Sequence, residues 1–315
     1  MGIIAQKEKH NKLTILFFIF MIDSYIYSVL SALFESLRNV SGKLGLKDMD
    51  EYLVTWAFGF FALPFLVFPF FFIKIPSLGN QFWIALLADG TLNVLATIFQ
   101  LKAIKSSDLS LTIPLLSFTP LFLLVMSPLI LGQYPTLLGI MGVILIVIGS
   151  YILNIKRKVL TTQKRSSEYL DPFKAMVTQH GPKLMLLAAF LLSITSTIDK
   201  IGVLNSSPLF WAVSVHSFTT ITLAPVLIRE YRNHVKLTET DVRLLFAVGF
   251  FSALAIVTQF IAITTLLVPY VIAIKRTSAV MSVLFGYLIF KERGIKGRLI
   301  GSAIMVIGVV LITLS

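Results

Sequence analysis

The chain has 315 residues, of which 57% are apolar and only 13% are charged, and its formal net charge is +12. The charged share is about half that of a typical soluble domain. Apolar runs of about 20 residues recur along the whole sequence, each long enough to cross a bilayer as a helix. Composition therefore excludes a soluble protein and predicts an all-α membrane protein embedded in the lipid bilayer.

Cysteine is absent, and the four histidines are scattered at His10, His180, His216 and His234. Disulfides and thiolate metal sites are excluded, and the histidines lack the spacing of metal ligands. We therefore expect no metal and no cofactor. The basic residues lie in short loops and not on one aromatic-rich face, which argues against a nucleic-acid partner.

The apolar runs predict ten membrane-spanning helices. Their approximate bounds are residues 13–36, 50–73, 80–104, 108–131, 135–154, 184–204, 208–229, 240–265, 268–290 and 296–314. Between the fifth and sixth spans lies a polar stretch, residues 155–183, which we expect to be a connecting loop.

Basic residues are divided unevenly between the two sides of such a bundle. The side of the N-terminus carries four of them, whereas the opposite side carries twenty, among which we count Arg38 as a loop residue. The positive-inside rule makes the second side, with loop 155–183, cytoplasmic. Lysines near the N-terminus favour the reverse orientation, because the first helix often dominates. We expect a multi-pass protein of the inner or plasma membrane, as a monomer or homodimer.

The sequence also repeats itself. An ungapped match at an offset of 159 residues relates the third to fifth spans to the eighth to tenth. The matching pairs include Gly90/Gly249, Ala96/Ala255, Gln100/Gln259, Ala103/Ala262, Gly142/Gly301 and Gly149/Gly308. We therefore predict one repeat over residues 13–154 and a second over 184–314. Five spans per repeat is an odd number, so the second repeat should be inverted in the membrane, as in many secondary transporters.

Several spans carry polar side chains at helical spacing. They are Asp23, Ser24, Ser28, Ser31 and Glu35 in the first span, Asp89, Asn93 and Gln100 in the third, Ser193, Thr197, Asp199 and Lys200 in the sixth, His216, Thr219 and Thr220 in the seventh, and Ser252, Thr258 and Gln259 in the eighth. Interhelical hydrogen bonds would account for one such stripe. Stripes on five helices, with unlike charges, favour a shared water-accessible cavity.

From these stripes we select candidate site residues. Those expected to bind substrate are Asn93, Gln100, Lys200, His216 and Gln259, and those that could carry a coupling proton are Asp23, Asp89 and Asp199. Asp199 and Lys200 are adjacent and could instead simply neutralise each other.

Two further substrate-binding candidates, Lys275 and Arg276, lie about eight residues inside the ninth span. A cation in lipid costs at least about 2.5 kcal/mol, so intramembrane cations indicate function by default. Long side chains that reach the membrane surface are the alternative explanation. An ammonium beside a guanidinium suits a carboxylate or phosphate, so the pair predicts an anionic small-molecule ligand.

Proline and glycine predict where helices break and where they pack. Pro114, Pro120 and Pro128 all fall in the fourth span, which should be kinked or broken. The glycines of the fifth and tenth spans, which are Gly139, Gly142, Gly149, Gly297, Gly301 and Gly308, are typical of close helix packing.

The ends of the two repeats, LILGQYPTLLGIMGVILIVIGSYIL and LIFKERGIKGRLIGSAIMVIGVVLI, resemble EamA repeats of the drug/metabolite transporter superfamily. The resemblance covers nearly the whole chain. It implies ten helices in two inverted five-helix repeats and a carrier that works by alternating access. It also implies a cavity lined by the first four helices of each repeat. Gln133 stands where EamA repeats usually have Glu, whereas Glu292 keeps it.

The ninth span, VIAIKRTSAVMSVLFGYLIFKE, is similar to that of the triose-phosphate and related phosphate translocators, in which a Lys-Arg pair binds phosphate. Lys275 and Arg276 occupy those positions. The translocators carry another lysine in the fourth span, where the 159-residue offset leads here to Leu116. With that cation missing, a monoanion, carboxylate or zwitterion is as plausible as a doubly charged phosphate.

The sequence thus predicts a secondary transporter of a small organic anion, phosphorylated or not. One alternative is a proton-coupled exporter of amino acids or drug-like metabolites, with Asp23 or Asp89 carrying the proton. A remoter alternative is a membrane enzyme acting on lipid phosphates. The sequence shows neither paired carboxylates with metal-ligand spacing nor a nucleophile beside a base, so we expect a non-enzyme.

Overall fold

A computed structural model of the chain describes residues 22–42, 51–107, 112–154, 179–231, 239–290 and 296–315. Within these ranges the chain is helical and has no strand, as composition predicted. In a bilayer, helices satisfy backbone hydrogen bonds internally. The beginning of the predicted first span, residues 155–178 of the connecting loop, and Glu292 lie outside the described residues.

The first half of the chain forms helices α1 to α5. These are α1 (residues 22–42), α2 (Glu51–Val67), α3 (Phe82–Ser106), α4 (Thr119–Leu131) and α5 (Leu137–Asn154). The second half forms α6 (His180–Leu204), α7 (Pro208–Tyr231), α8 (Glu239–Thr265), α9 (Val268–Lys275), α10 (Ser278–Phe290) and α11 (Lys296–Thr313).

Helix length and apolarity support a multi-pass membrane protein. Among the described residues, five helical segments are long and apolar enough to cross a bilayer: Phe82–Ser106, Pro114–Leu131, His180–Leu204, Val242–Thr265 and Val268–Phe285. Three shorter apolar helices accompany them, at Thr55–Phe71, Leu137–Leu153 and Ile300–Thr313. Large apolar side chains such as Phe71 and Ile84 are more than 70% exposed, which suits a lipid-facing surface. The count of ten spans stays a prediction.

The fourth span is broken, as its prolines predicted. A 3-10 helix over Ile113–Phe118 leads directly into α4 at Thr119. Proline lies near the beginning of both segments, where a missing N–H costs least. At the other end, Gly132 adopts a left-handed conformation with φ of 64° and ends α4.

The ninth span is also broken, where the sequence predicted one continuous helix. Helix α9 ends at Lys275 and α10 begins at Ser278. Between them the turn tightens to hydrogen bonds three residues apart, such as that from the Thr277 amide to the Ile274 carbonyl at 2.9 Å. Thr119 and Ser278 are separated by the same 159 residues as the sequence repeat, so both repeats break at one equivalent position.

Contacts between the two halves follow two-fold symmetry. Gly90 of α3 packs against the ring of Phe218 on α7, and its mate Gly249 of α8 packs against Phe61 on α2. Likewise α4 packs on α6, while the ninth span meets α1 through a 2.9 Å hydrogen bond between Ser36 and Ser282. Each contact that a helix of the first repeat makes with the second repeat is thus matched by the equivalent contact made by the second repeat with the first.

Helices α5 and α11 run antiparallel with their backbones in contact. A Cβ on Gly142 would lie 2.7 Å from the Gly308 carbonyl oxygen, and one on Gly149 would lie 2.6 Å from that of Gly301. As the residue number increases along α5, the residue number of the contacting glycine in α11 decreases. The last helices of the repeats therefore have opposite directions, as an odd span count requires, and these four glycines are packing residues as predicted.

An apolar cluster fills one half of the molecule. It gathers the end of α2, the beginnings of α3 and α7, and the end of α8, with Phe82, Trp211 and Ile263 fully buried. The Phe82 ring lies edge-on to Trp211, with 5.7 Å between ring centroids. This half also contains the link from the Gly79 amide to the Asn205 carbonyl, at 2.8 Å. The opposite half, toward the carboxyl-terminal ends of α1, α3 and α7, contains a polar cavity.

Candidate functional site

Lys275 lies at the helix break and does not stand alone. Its ammonium is 2.9 Å from Oε2 of Glu35 on α1 and donates a hydrogen bond of 2.6 Å to Oε1 of Gln259 on α8. Because α9 ends at this residue, the ammonium also lies close to the partly negative end of a helix. Gln259, one of the candidate substrate-binding residues, is buried.

Glu35 also binds a second cation. Arg38 Nη2 lies 3.1 Å from Glu35 Oε1, so each carboxylate oxygen faces a different positive group. The side chains of Glu35, Arg38 and Lys275 are 15%, 21% and 21% exposed. We counted Arg38 as a loop residue, which is wrong, because α1 continues through residue 42 and carries it.

Arg276 points to the other repeat. Its Nη2 donates to the Thr119 hydroxyl at 3.2 Å, which ties the break in the ninth span to the break in the fourth. Its Nε is buried without a hydrogen-bond partner among the described residues. Leu116, at the position symmetric to Lys275, packs in an apolar cluster with Leu115 and Met185. The cationic site is therefore one-sided.

A cavity of about 260 Å³ lies beside this network. Its walls come from α1, α2, α3, α7 and α8: Arg38, Thr55, Trp56, Phe58, Gly59, Asn93, Thr97, Val215, His216, Thr219, Thr220, Leu223, Ser252 and Ile256. Arg38 is the cation in this wall, and its guanidinium lies 5.6 Å from the centre of the Phe58 ring. Lys275 and Arg276 are not in the wall. Glu35 joins Lys275 to Arg38, so the charge of Lys275 acts on the cavity through Glu35 and Arg38.

Two predicted residues, Asn93 and His216, line this cavity. The Asn93 amide donates a hydrogen bond of 2.9 Å to Asp89, and His216 Nδ1 lies 3.1 Å from the Ala212 carbonyl oxygen. Trp56 fixes the α2 wall by donating from Nε1 to the Thr220 carbonyl at 3.0 Å. The stripes of three helices meet at this cavity, through Asn93 of α3, His216, Thr219 and Thr220 of α7, and Ser252 of α8. The predicted stripe residues of the first and sixth spans are not in its wall.

Gln100 and Lys200 lie elsewhere. Gln100 is partly buried near the end of α3, outside the cavity wall. The Lys200 ammonium is buried and donates at 2.9 Å to the carbonyl of Leu266, in the turn between α8 and α9. In this structure Lys200 caps that turn and does not pair with Asp199.

The three candidate acids are in different environments. Asp23 is exposed in the first described turn of α1, about 18 Å along the helix from Glu35. Asp89 and Asp199 are buried, at 0% and 7% exposure. Asp199 accepts a hydrogen bond of 2.8 Å from Trp211 Nε1. Two of the three acids thus lie inside the protein, on the packed helices α3 and α6.

Glu35 and Arg38 are the site residues that our selection omitted. Glu35 lies on the polar stripe of the first span with Ser28 and Ser31, and Arg38 follows it by three residues, the spacing of a helical ion pair. That spacing could have indicated both. Among the described residues no group of three or more His, Asp or Glu side chains could hold a metal.

Comparison with known proteins shows the family to which the chain belongs. The profile of the EamA-like transporter family matches residues 23–155 and 180–314, one segment for each repeat. A solved crystal structure is similar at a TM-score of 0.74 and 15% sequence identity, covering 92% of this chain and 98% of that chain, so the two share a fold. A comparison with curated protein sequences found no match. Because the family profile matches both halves, the chain belongs to the EamA-like transporter family, within the drug/metabolite transporter superfamily, and is a multi-pass membrane transporter.

Proposed function

We propose that this protein is a secondary transporter of a small organic anion, with Arg38 as the first contact of the anion and Lys275 and Arg276 behind it. The observation that carries the proposal is the Arg38–Glu35–Lys275 network at the wall of a polar cavity. Arg38 and Lys275 share the Glu35 carboxylate, and Arg276 adds a third positive charge next to Lys275 in the chain. The site therefore has an excess of positive charge that an anion would balance.

Cavity size limits the substrate. Each water molecule occupies about 30 Å³ in the liquid, so 260 Å³ corresponds to on the order of ten non-hydrogen atoms. Trp56 and Phe58 supply apolar surface, and Asn93, His216 and Thr219 supply hydrogen-bonding groups. A small carboxylate or phosphate ester fits these walls, and the resemblance of the ninth span to the phosphate translocators supports the same class.

The helix breaks suit alternating access. Arg276 and Thr119 connect the two breaks across the repeats, and tightened turns of this kind often serve as hinges. In the present conformation the cavity lies toward the carboxyl-terminal ends of α1, α3 and α7, and the opposite half is filled by the apolar cluster. The positive-inside rule makes the side of these helix ends cytoplasmic in a cell membrane.

The test is binding of named anions to the purified protein, followed by uptake into proteoliposomes. Phosphate, a triose phosphate, malate and a neutral sugar would be screened for an increase in thermal stability. A ligand at 100 times its Kd stabilises by about 2.7 kcal/mol. We expect at least one anion, and not the sugar, to stabilise the protein and to enter by saturable exchange.

Arg38→Gln and Lys275→Gln should each lower anion affinity by at least tenfold. Arg243→Gln is the matched control, because Arg243 pairs with Glu239 on the surface, where both side chains are more than 75% exposed. If folded Arg38→Gln and Lys275→Gln proteins bind and exchange the anion as wild type does, the proposed site is wrong.

A second candidate function is export of a zwitterionic amino acid. It is favoured by Glu35, which is partly exposed beside Arg38 and offers a carboxylate for an amino group next to a guanidinium for a carboxyl group. Glu35→Gln separates the two: it should abolish stabilisation by an amino acid and preserve or strengthen stabilisation by a plain anion.

A further inference from the structure

Asp89 and Asp199 are two buried acids in the interface between the repeats, and the anion site does not use them. Asp89 lies on α3 and Asp199 on α6, and these helices pack along each other. Gly181 at the beginning of α6 packs on Ser107 after α3, and the Gly79 amide before α3 binds the Asn205 carbonyl after α6. This antiparallel register puts Asp89 and Asp199 at the same level of the interface, and both carboxyl groups are more than nine-tenths buried. Each accepts one hydrogen bond from a neutral donor, Asn93 Nδ2 for Asp89 and Trp211 Nε1 for Asp199.

The second oxygen of Asp89 has no such donor. Oδ1 is fully buried and lacks a hydrogen-bond partner among the described residues. An ionised carboxylate with an unpartnered oxygen is costly in a low-dielectric interior, and a second carboxylate within range adds repulsion. Two buried acids in this situation do not both ionise. The pair is neutralised most simply by one proton.

The surroundings distinguish the two acids. Asp199 is held by Trp211, whose ring packs directly on Gly202 one turn away. Asn93, the donor to Asp89, lines the cavity together with His216 of α7. Lys200 turns away to the Leu266 carbonyl. Asp89 is therefore the acid whose ionised form is poorly satisfied, because its Oδ1 is buried without a donor among the described residues.

We propose that Asp89 and Asp199 form a proton-binding site, in which Asp89 carries the proton at neutral pH and Asp199 is ionised. Asn93 links this site to the transport pathway, because it donates to Asp89 and also lines the cavity. Water in the cavity supplies the proton and takes it back when Asn93 moves aside.

The proton site is coupled to the anion site through the cavity wall at Asn93. This coupling rests on the proposed function. An anion in the cavity brings negative charge to the wall that Asn93 shares with Asp89, so it favours proton binding to Asp89. By reciprocity, a bound proton favours the anion. The expected result is joint movement of one proton with the anion.

Infrared spectroscopy of the purified full-length protein tests the proton site without any substrate. A protonated carboxyl group has a carbonyl band that is well separated from the bands of ionised carboxylates. We expect such a band at neutral pH in wild type, lost in Asp89→Asn and kept in Asp199→Asn. In the control Asp23→Asn, which changes an exposed acid, the band should persist.

The proposal is overturned if wild type shows no protonated band at neutral pH, or if the band survives in Asp89→Asn. If the band is lost in Asp199→Asn and retained in Asp89→Asn, the proton is on Asp199 and the assignment to Asp89 is wrong. If the variants do not fold, isotope-labelled aspartate in wild type must still shift the band, and an unshifted band refutes the assignment. If the protonated band is present but no anion binds, the anion site alone is refuted. If anions bind but the band is absent, the proton site alone is refuted.

Discussion

Glu35 sets the charge of the anion site in the empty transporter. Its two oxygens contact Arg38 and Lys275 in the way that a substrate carboxylate or phosphate would. An incoming anion must therefore share these cations with Glu35 or displace it. The resident carboxylate keeps the cations from being buried unpaired, and it lowers the affinity for the anion. Both effects can be separated by one substitution.

Glu35→Gln should lower the stability of the empty protein and increase its response to anions. Removing one partner of a largely buried ion pair costs about 3 kcal/mol, because the remaining charge is uncompensated. The thermal midpoint in low-anion buffer should fall, and saturating anion should restore it by a larger shift than in wild type. Thermal unfolding in detergent over a range of phosphate or malate concentrations measures both quantities.

Glu239→Gln is the matched control for Glu35→Gln. It removes the same charge from an exposed i,i+4 pair with Arg243, worth about 0.3 to 0.5 kcal/mol. Its stability and its response to anions should match wild type. Equal responses to anions in the Glu35→Gln and wild-type proteins would show that Glu35 does not compete with the ligand.

At the scale of elements, the contact between α5 and α11 holds the two repeats at one fixed spacing. The contact is made by backbone atoms, since carbonyl oxygens of Gly301 and Gly308 occupy the space where a side chain on Gly149 or Gly142 would begin. The breaks in the fourth and ninth spans have the opposite character. They leave short helical pieces joined by tightened turns, and the break in the ninth span carries Lys275 and Arg276.

Gly149→Val should destabilise the protein by about 1 to 3 kcal/mol, because its Cβ would lie 2.6 Å from the Gly301 carbonyl oxygen and force the helices apart. Gly142→Val should destabilise the protein by about the same amount, because the Gly142–Gly308 contact is equivalent to the Gly149–Gly301 contact. Ile148→Val, one residue away on the exposed face of α5, should change stability by less than about 0.5 kcal/mol. Thermal midpoints of the three variants provide the comparison, and equal midpoints for Gly149→Val and Ile148→Val would contradict the packing role.

At the scale of the whole molecule, the two halves differ in access. The polar cavity lies toward the carboxyl-terminal ends of α1, α3 and α7, and the apolar cluster closes the other half around Trp211. A carrier in this conformation exposes its cavity to one side of the membrane. The predicted side is cytoplasmic.

The absence of cysteine allows this access to be measured with single substitutions. Thr219→Cys, in the cavity wall, should react with a membrane-impermeant maleimide in inverted vesicles and much more slowly in intact cells. Ala262→Cys, fully buried in the apolar cluster, should react slowly from both sides. Faster labelling of Thr219→Cys from outside the cell would reverse the orientation or the conformational state.

Much of the fold was predictable because it depends on local sequence. Apolar runs predict helices in lipid, the prolines predicted the break before Thr119, and the repeated glycines predicted the contact between α5 and α11. The break after Lys275 was not predictable in this way. No proline lies at it, and only the symmetry with the fourth span explains its position.

The sequence by itself determined the membrane class, the two repeats and the presence of cations, carboxylates and amides on facing stripes. Only the tertiary structure decided which of them meet. Glu35 and Lys275 are 240 residues apart, and whether they pair depends on how α1 and α9 are rotated and offset against each other. Helical period fixes which residues share a face of one helix, but not which faces touch. For that reason Arg38 reaches the cavity, Lys275 acts from behind Glu35, and Asp89 and Asp199 lie at the same level of the interface between the repeats.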